Sequence, residues 1–280
     1  MEYLKGHKIK PKVVYGNEVI FTDGTNDVRA NQATCEAYGY RWNEHTGTCQ
    51  IEFTSFKVQK AFSNIDNTVL GKKNNLEYGT TNSLLIGSTN RTKGQNTNIL
   101  ITGEKNQVES ELNNVSIIGG KMGKALTNGQ VLIGGGSFTS EIGLMQMSFI
   151  QLSLKTTNAD VSYLTTQGDS TNYITLQNNV IIGYEAHIVA LCTGGSSGTA
   201  GQYIYYKLIG AVKVVNDYTA TFTQSISTIA DGSLSISTTP VMADSTDGYT
   251  SIKVVGTANV NITWSASVHL YENRTDTVEL

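Results

Sequence analysis

The sequence predicts an all-β protein in which a stacked parallel solenoid is followed by an antiparallel sandwich or jelly-roll, and three observations carry that prediction. Segments ending in an aliphatic pair and a glycine recur at a period of about 16 residues. Downstream of Met145 the period gives way to alternating apolar and polar runs. Charged residues are only 15% of the chain, with 28 glycines and 2 prolines, so its polar character comes from the Asn, Ser and Thr that suit turns and exposed strand faces.

The N-terminal stretch, residues 1–60, is irregular and rich in cations and reads as a small separate module. Residues Val28 to Tyr38 fit one short helix closed by Gly39, and Cys35 and Cys49 bracket the turn-rich segment behind it. The pair fits a local disulfide or two buried thiols. With His45 between them a zinc site would still lack a fourth ligand, so no metal is expected. Cys192 is left over, which argues against a disulfide scaffold.

The second region, residues 61–144, holds the repeat. Aligning NTVLG, NSLLIG, NILITG, NVSIIG and GQVLIG places their final glycines at Gly71, Gly87, Gly103, Gly119 and Gly134, at intervals of 16, 16, 16 and 15. A fixed short period marks a solenoid, whose coils bury an apolar face only by stacking on one another. The residue two before each glycine is aliphatic (Val69, Leu85, Ile101, Ile117, Leu132), and so, but for Thr102, is the one just before it (Leu70, Ile86, Ile118, Ile133). Neighbouring strand residues point to opposite faces, so two adjacent apolar columns predict burial on both sides. One column fills the coil; the other needs a cover, and further copies of the same coil are the economical one. Asn recurs five residues before the glycine (Asn82, Asn98, Asn114) and three after it (Asn74, Asn90, Asn106), where left-handed turn conformations are expected. At ~4.8 Å per strand, five coils make a spacer only ~24 Å long.

The third region, residues 145–280, offers the alternating runs 148–154, 186–192, 203–215, 218–227, 250–256 and 260–271. Gly194 to Gly201, Asn216-Asp217, Asp231-Gly232 and Asp247-Gly248 read as hairpin connections.

Two family resemblances follow. The strand Asn82-Ser83-Leu84-Leu85-Ile86-Gly87 resembles the head repeats of trimeric autotransporter adhesins, which implies a left-handed parallel β-roll in which three chains intertwine. The segments His187 to Thr193, Gly194 to Gly201, Tyr203 to Val215, Val254-Val255-Gly256 and Ile262 to Val268 are similar, in order and spacing, to the terminal domain of bacteriophage tail-fibre and tail-appendage proteins. Thr263 stands where that family usually has Arg, so no polar contact carries over. Together they imply a homotrimeric phage fibre, on tail or head. Residues 1–60 would attach it to another virion protein, and residues 145–280 would meet a host-surface glycan or protein.

The remaining readings are mostly exclusions. A net charge of −3 gives no footprint for nucleic acid. Residues Met1 to Phe21 lack the apolar core of a secretory signal, and no run is long enough to insert in a membrane, so the expected location is the virion after synthesis in a host cytoplasm. Gly194-Gly195-Ser196-Ser197-Gly198 matches a nucleophile-elbow pattern but sits in a β connection, and the glycine clusters lack a phosphate-loop lysine, so no cofactor is expected. His7, His45, His187 and His269 are scattered. Trp264, Tyr203, Tyr205 and Tyr206 fit core or inter-chain packing better than a sugar platform. The coil acids Glu77, Glu104, Glu109 and Glu111 read as out of register from coil to coil, so the expectation is no catalytic residue and no enzyme, with a glycan-degrading tailspike as the rival and a purely decorative capsid or tail protein as a third reading.

Overall fold

In a computed structural model that describes residues 3–4, 7–15, 17–51, 66–168, 171–246 and 248–275, the chain is all-β, with one short helix among the described residues. Asp247 of the expected Asp247-Gly248 turn lies outside them. Contacts divide the chain into residues 1–61 and 62–280.

The first unit contains β1 (Tyr3–Leu4), β2 (His7–Lys8), β3 (Lys10–Tyr15), β4 (Glu18–Thr22), β5 (Asp27–Val28), α1 (Gln32–Ala37), β6 (Arg41–Asn43) and β7 (Thr48–Gln50). The helix starts later than the sequence suggested because Asn31 caps it, its side chain accepting from the Thr34 amide at 2.8 Å, while Asp27–Val28 pairs with β4 instead. Phe21 is fully buried with Tyr38 and Tyr40 edge-on to it. A disulfide between Cys35 and Cys49 ties the helix to β7 beside that core, which uses both thiols and leaves no zinc ligand set.

In the second unit the solenoid alternates long and short strands: β8 (Thr68–Lys72), β9 (Asn75–Leu76), β10 (Leu84–Ser88), β11 (Arg91–Thr92), β12 (Leu100–Glu104), β13 (Gln107–Val108), β14 (Ser116–Lys121), β15 (Lys124–Ala125) and β16 (Val131–Gly135). The long strands form one parallel ladder and the short strands a second, while bridges from Thr81 to Thr97 and from Thr97 to Asn113 mark a third side. Leu85, Ile101, Ile117 and Leu132 fill the coil and are fully buried; each contributes about 2 kcal/mol by leaving water. The adjacent column points out, with Leu70 52%, Ile86 38% and Ile118 51% exposed.

Three details differ from expectation. Asn82, Asn98 and Asn114 do take positive φ, but in the second turn the positive φ falls on Lys73, Thr89 and Lys105, one residue before Asn74, Asn90 and Asn106. Those asparagines turn inward instead. The Asn90 side chain donates to Ile86 O at 3.0 Å and Gly103 O at 2.9 Å and accepts from the Asn106 amide at 3.0 Å, and its own amide donates to the Asn74 side chain at 2.9 Å. Finally, in the fourth coil Gly120 rather than Gly119 occupies the stacked glycine column, because the strand bulges there: Gly120 is in register with Gly134, and Gly119 is displaced from the stack.

Strand β17 (Met145–Thr156) then pairs antiparallel onto β16 and ends the solenoid. It is followed by β18 (Val161–Tyr163), β19 (Thr165–Thr166), β20 (Ile174–Thr175), β21 (Val180–Gly194), β22 (Tyr203–Val214), β23 (Ala220–Gly232), β24 (Val241–Thr246), β25 (Tyr249–Val255) and β26 (Asn261–Arg274). The order β23-β22-β21-β26-β17-β16 makes one sheet continuous with the coils. A smaller sheet of β18, β25, β20 and β24 packs on its inner face through Leu164, Ile174, Met242, Ile252 and Val254. Trp264 is enclosed in this sandwich core and donates its indole N–H to Thr156 Oγ1 at 3.0 Å. Asp231-Gly232 is no hairpin connection: it lies within β23, where the ring of Tyr203 covers Gly232 so closely that a side chain there would collide.

Candidate functional site

Where the lower turns of the last coils meet the smaller sheet, the chain leaves a groove of about 580 Å³. The solenoid supplies Glu109, Glu111 and Asn128, and the C-terminal region supplies Asn172, Tyr173 and Tyr249. The two sides are joined in the lining of the groove itself, where the Thr175 amide donates to Thr127 Oγ1 at 3.0 Å and Thr175 pairs in register with Tyr249. Tyr173 is held edge-on by Tyr163 at 6.3 Å between ring centres.

The two carboxylates are held differently. Glu109 lies half-buried, with Lys93 Nζ at 2.7 Å, Lys124 Nζ at 3.4 Å and the Gln107 amide donating at 2.7 Å. Burial alone would push this carboxyl up; the hydrogen bond from Lys93, the charge of Lys124 and the Gln107 bond outweigh it and hold it below the usual glutamate range. Glu111, at φ +63°, is exposed and has no ion pair among the described residues.

The coil acids are therefore more ordered than the sequence suggested. Glu77, Lys93 and Glu109 occupy one position in three successive coils, as their amides show by donating in turn to Thr92 O, Val108 O and Ala125 O. Charges alternate down that column, with Arg91 on Glu77 and Lys93 on Glu109. The register shows when each acid is counted from its own coil's glycine: Glu77 and Glu109 each lie six residues after Gly71 and Gly103.

The other candidates do not converge. Trp264 and Tyr206 are buried, and Tyr203 covers Gly232. Tyr205 faces outward, its hydroxyl 2.5 Å from His187 Nδ1, while His187 Nε2 lies 2.9 Å from Glu185 Oε1 and Lys207 Nζ 2.7 Å from the same oxygen. Gly194 to Gly201 joins β21 to β22, with no helix after it to make an elbow. Among the described residues no group of three or more His, Cys, Asp and Glu could hold a metal ion. Tyr173 and Tyr249 went unseen because neither belongs to a repeat or motif; only the strand pairing of distant segments brings them to the coil turns.

No described protein family and no curated protein matches the chain. Among solved structures it is similar to three phage tailspike proteins, each at 8% identity. That of Acinetobacter baumannii phage AM24 aligns over 76% of this chain and 50% of the tailspike, with a TM-score of 0.30. That of Acinetobacter phage vB_ApiP_P1 aligns over 76% and 54%, at 0.22. The tailspike gp49 of Acinetobacter baumannii bacteriophage Fri1, a capsular polysaccharide depolymerase, aligns over 72% and 40%, at 0.25. The chain thus spans about half the length of the tailspikes it is similar to or less.

The expectation of a protein that is not an enzyme is corrected. The argument against catalysis rested on acids out of register from coil to coil, whereas Glu109 shares its coil position with Glu77 and lines one groove with Glu111.

Proposed function

We propose that the chain is a phage tail-appendage protein, of the fibre or tailspike kind, that engages a host-surface polysaccharide in the groove of Glu109, Glu111, Tyr173 and Tyr249. The groove carries this reading. Tyrosine rings present flat apolar faces with a polar tip, which suits the faces and rims of sugar rings, and the amides of Asn128 and Asn172 supply paired donors and acceptors for hydroxyls. The chain acts as a homotrimer, attached to the particle by its N-terminal module. Three tethered grooves gain avidity on a repetitive polymer, since the second and third engagements are intramolecular.

A second reading, cleavage of the bound glycan, is favoured by the two glutamates that line one groove. Glycoside hydrolysis takes one ionised carboxylate as base or nucleophile and one protonated carboxyl as acid. Glu109, held ionised by Lys93 and Lys124, suits the first role, and Glu111 is the second carboxyl on the groove.

One titration tests both readings. Host capsular polysaccharide is added to the protein and to its Tyr249→Ala variant, with binding followed by calorimetry and reducing ends by colour assay. Loss of affinity by about tenfold or more in the variant is expected, one stacked ring being worth ~1.5 kcal/mol. Release of reducing ends that stops in Glu109→Gln and Glu111→Gln establishes cleavage. Equal affinity of wild type and Tyr249→Ala removes the groove from the function.

A further inference from the structure

One buried acid connects the core of the C-terminal region to the groove. Glu272 on β26 is buried, and its Oε2 accepts from Gln146 Nε2 at 3.1 Å and Gln177 Nε2 at 3.3 Å. Gln146, directly across on β17, is also the clamp that closes the short-strand ladder of the solenoid: its Oε1 accepts from the Lys124 amide at 2.8 Å, and its Nε2 donates to Lys124 O at 3.0 Å. Lys124 in turn sets its ammonium on Glu109. The bonds run Glu272, Gln146, Lys124, Glu109.

No cation faces Glu272 among the described residues. Its partners are the uncharged Gln146 from β17 and Gln177 from the segment before β21, with Ile182 of β21 in register beside it. Arg274 on its own strand is turned to Asn178 O and Glu141, and Lys124 on β15 to Glu109. Burial pushes the carboxyl up to about 7, against the two amide bonds that favour its charged form.

We propose that Glu272 is a positioning residue for the groove: while it carries a proton it keeps Gln146 on the Lys124 backbone and so the Lys124 ammonium on Glu109, and when it loses the proton the clamp opens. The physical reason is the cost of an uncompensated buried charge, which is relieved by admitting water where Gln146 now sits. Because the folded value lies above the ordinary glutamate value, the contribution is complete below the unfolded value and is lost as pH rises through about 7. For the groove this deepens the polysaccharide reading above and rests on it; for the clamp it does not.

Two readouts separate the two ideas. Amide exchange at Lys124, corrected for intrinsic pH dependence, is followed from pH 5.5 to 8.5. In the wild type, protection is expected to fall about tenfold across pH 7, with a flat profile in Glu272→Gln and in Gln146→Ala. Affinity for capsular polysaccharide should weaken several-fold over the same range and lose its pH step in Glu272→Gln, which retains a neutral hydrogen-bonding group. A wild-type Lys124 profile that is flat overturns the proposal without any variant being needed. A pH step at Lys124 with no polysaccharide bound at any pH supports the clamp and overturns the polysaccharide reading alone.

Discussion

At the scale of the residue, the solenoid depends on a single file of asparagines. Asn90 and Asn106 are fully buried, and each side chain joins three backbones: the turn of its own coil and two points of the next. No other side chain of that length offers two donors and an acceptor at one point, so the column is a hydrogen-bond requirement rather than a turn preference. That is also why the left-handed residue is displaced to Lys73, Thr89 and Lys105, since the chain must turn one step early for the asparagine to face inward. The sequence displays the column, but its inward direction is a property of stacked coils and not of any one turn. Asn90→Ala leaves buried backbone groups unpaired, at a cost of about 3 kcal/mol. Asn74→Ala, at the partly exposed first rung, is expected to cost below about 1 kcal/mol, because water can replace the missing bonds. Urea unfolding of the two variants checks this; equal losses would mean the file is not cooperative with burial.

At the scale of the element, what makes the long strands stack is the absence of a side chain at their ends. A Cβ on Gly87 would lie 2.0 Å from Gly103 O, and the residue stands at φ +117°, so Gly87→Ala meets both a clash and a backbone penalty. Gly119, on the bulge at φ +135°, has nothing within 4 Å of such a Cβ and would suffer only the backbone penalty of about 1–3 kcal/mol. Gly87→Ala should therefore destabilise the solenoid well beyond Gly119→Ala in thermal unfolding, although an alignment of the repeats treats the two glycines alike. The N-terminal element answers to another constraint. Cys35 and Cys49 close a short loop, and reduction is expected to cost that unit about 3 kcal/mol; dithiothreitol should lower its transition and leave that of residues 62–280 in place. Long periodic elements were legible: the coil strands follow the repeat, and β22, β23, β25 and β26 begin within or next to the alternating runs, while β17 and β21 start three and six residues before the runs 148–154 and 186–192. The short strands β18, β19 and β20 and the polar β24 were not, because their residues carry no period and their pairing is imposed by β17 and β25. The groove was invisible for the same reason, being made of coil turns and of tyrosines that only those pairings deliver.

At the scale of the whole molecule, one face remains to be explained. Leu70, Ile86 and Ile118 point away from the coil interior, and along the same continuous sheet the column passes through Ile133 and Met147 to Tyr271, which is 49% exposed. A strip of aliphatic side chains several strands long is unusual on a monomer's surface and marks a contact site. The strip runs along one ladder and repeats its aliphatic chemistry at each coil but for Thr102, so its best complement is the same strip on another copy. Three copies around an axis would cover it, each isoleucine contributing about 2 kcal/mol on burial. The expected mass by light scattering is then about three times 30.2 kDa, near 90 kDa, at micromolar concentration. The double variant Ile86→Lys with Ile118→Lys should fall to a single chain while keeping its β circular-dichroism signal, since both side chains point outward and neither belongs to the buried cluster inside the coil. A wild-type mass of one chain would sink the trimer outright. A variant that unfolds rather than dissociates would show that the strip is needed within the chain, and the cover would then have to come from this chain's own residues.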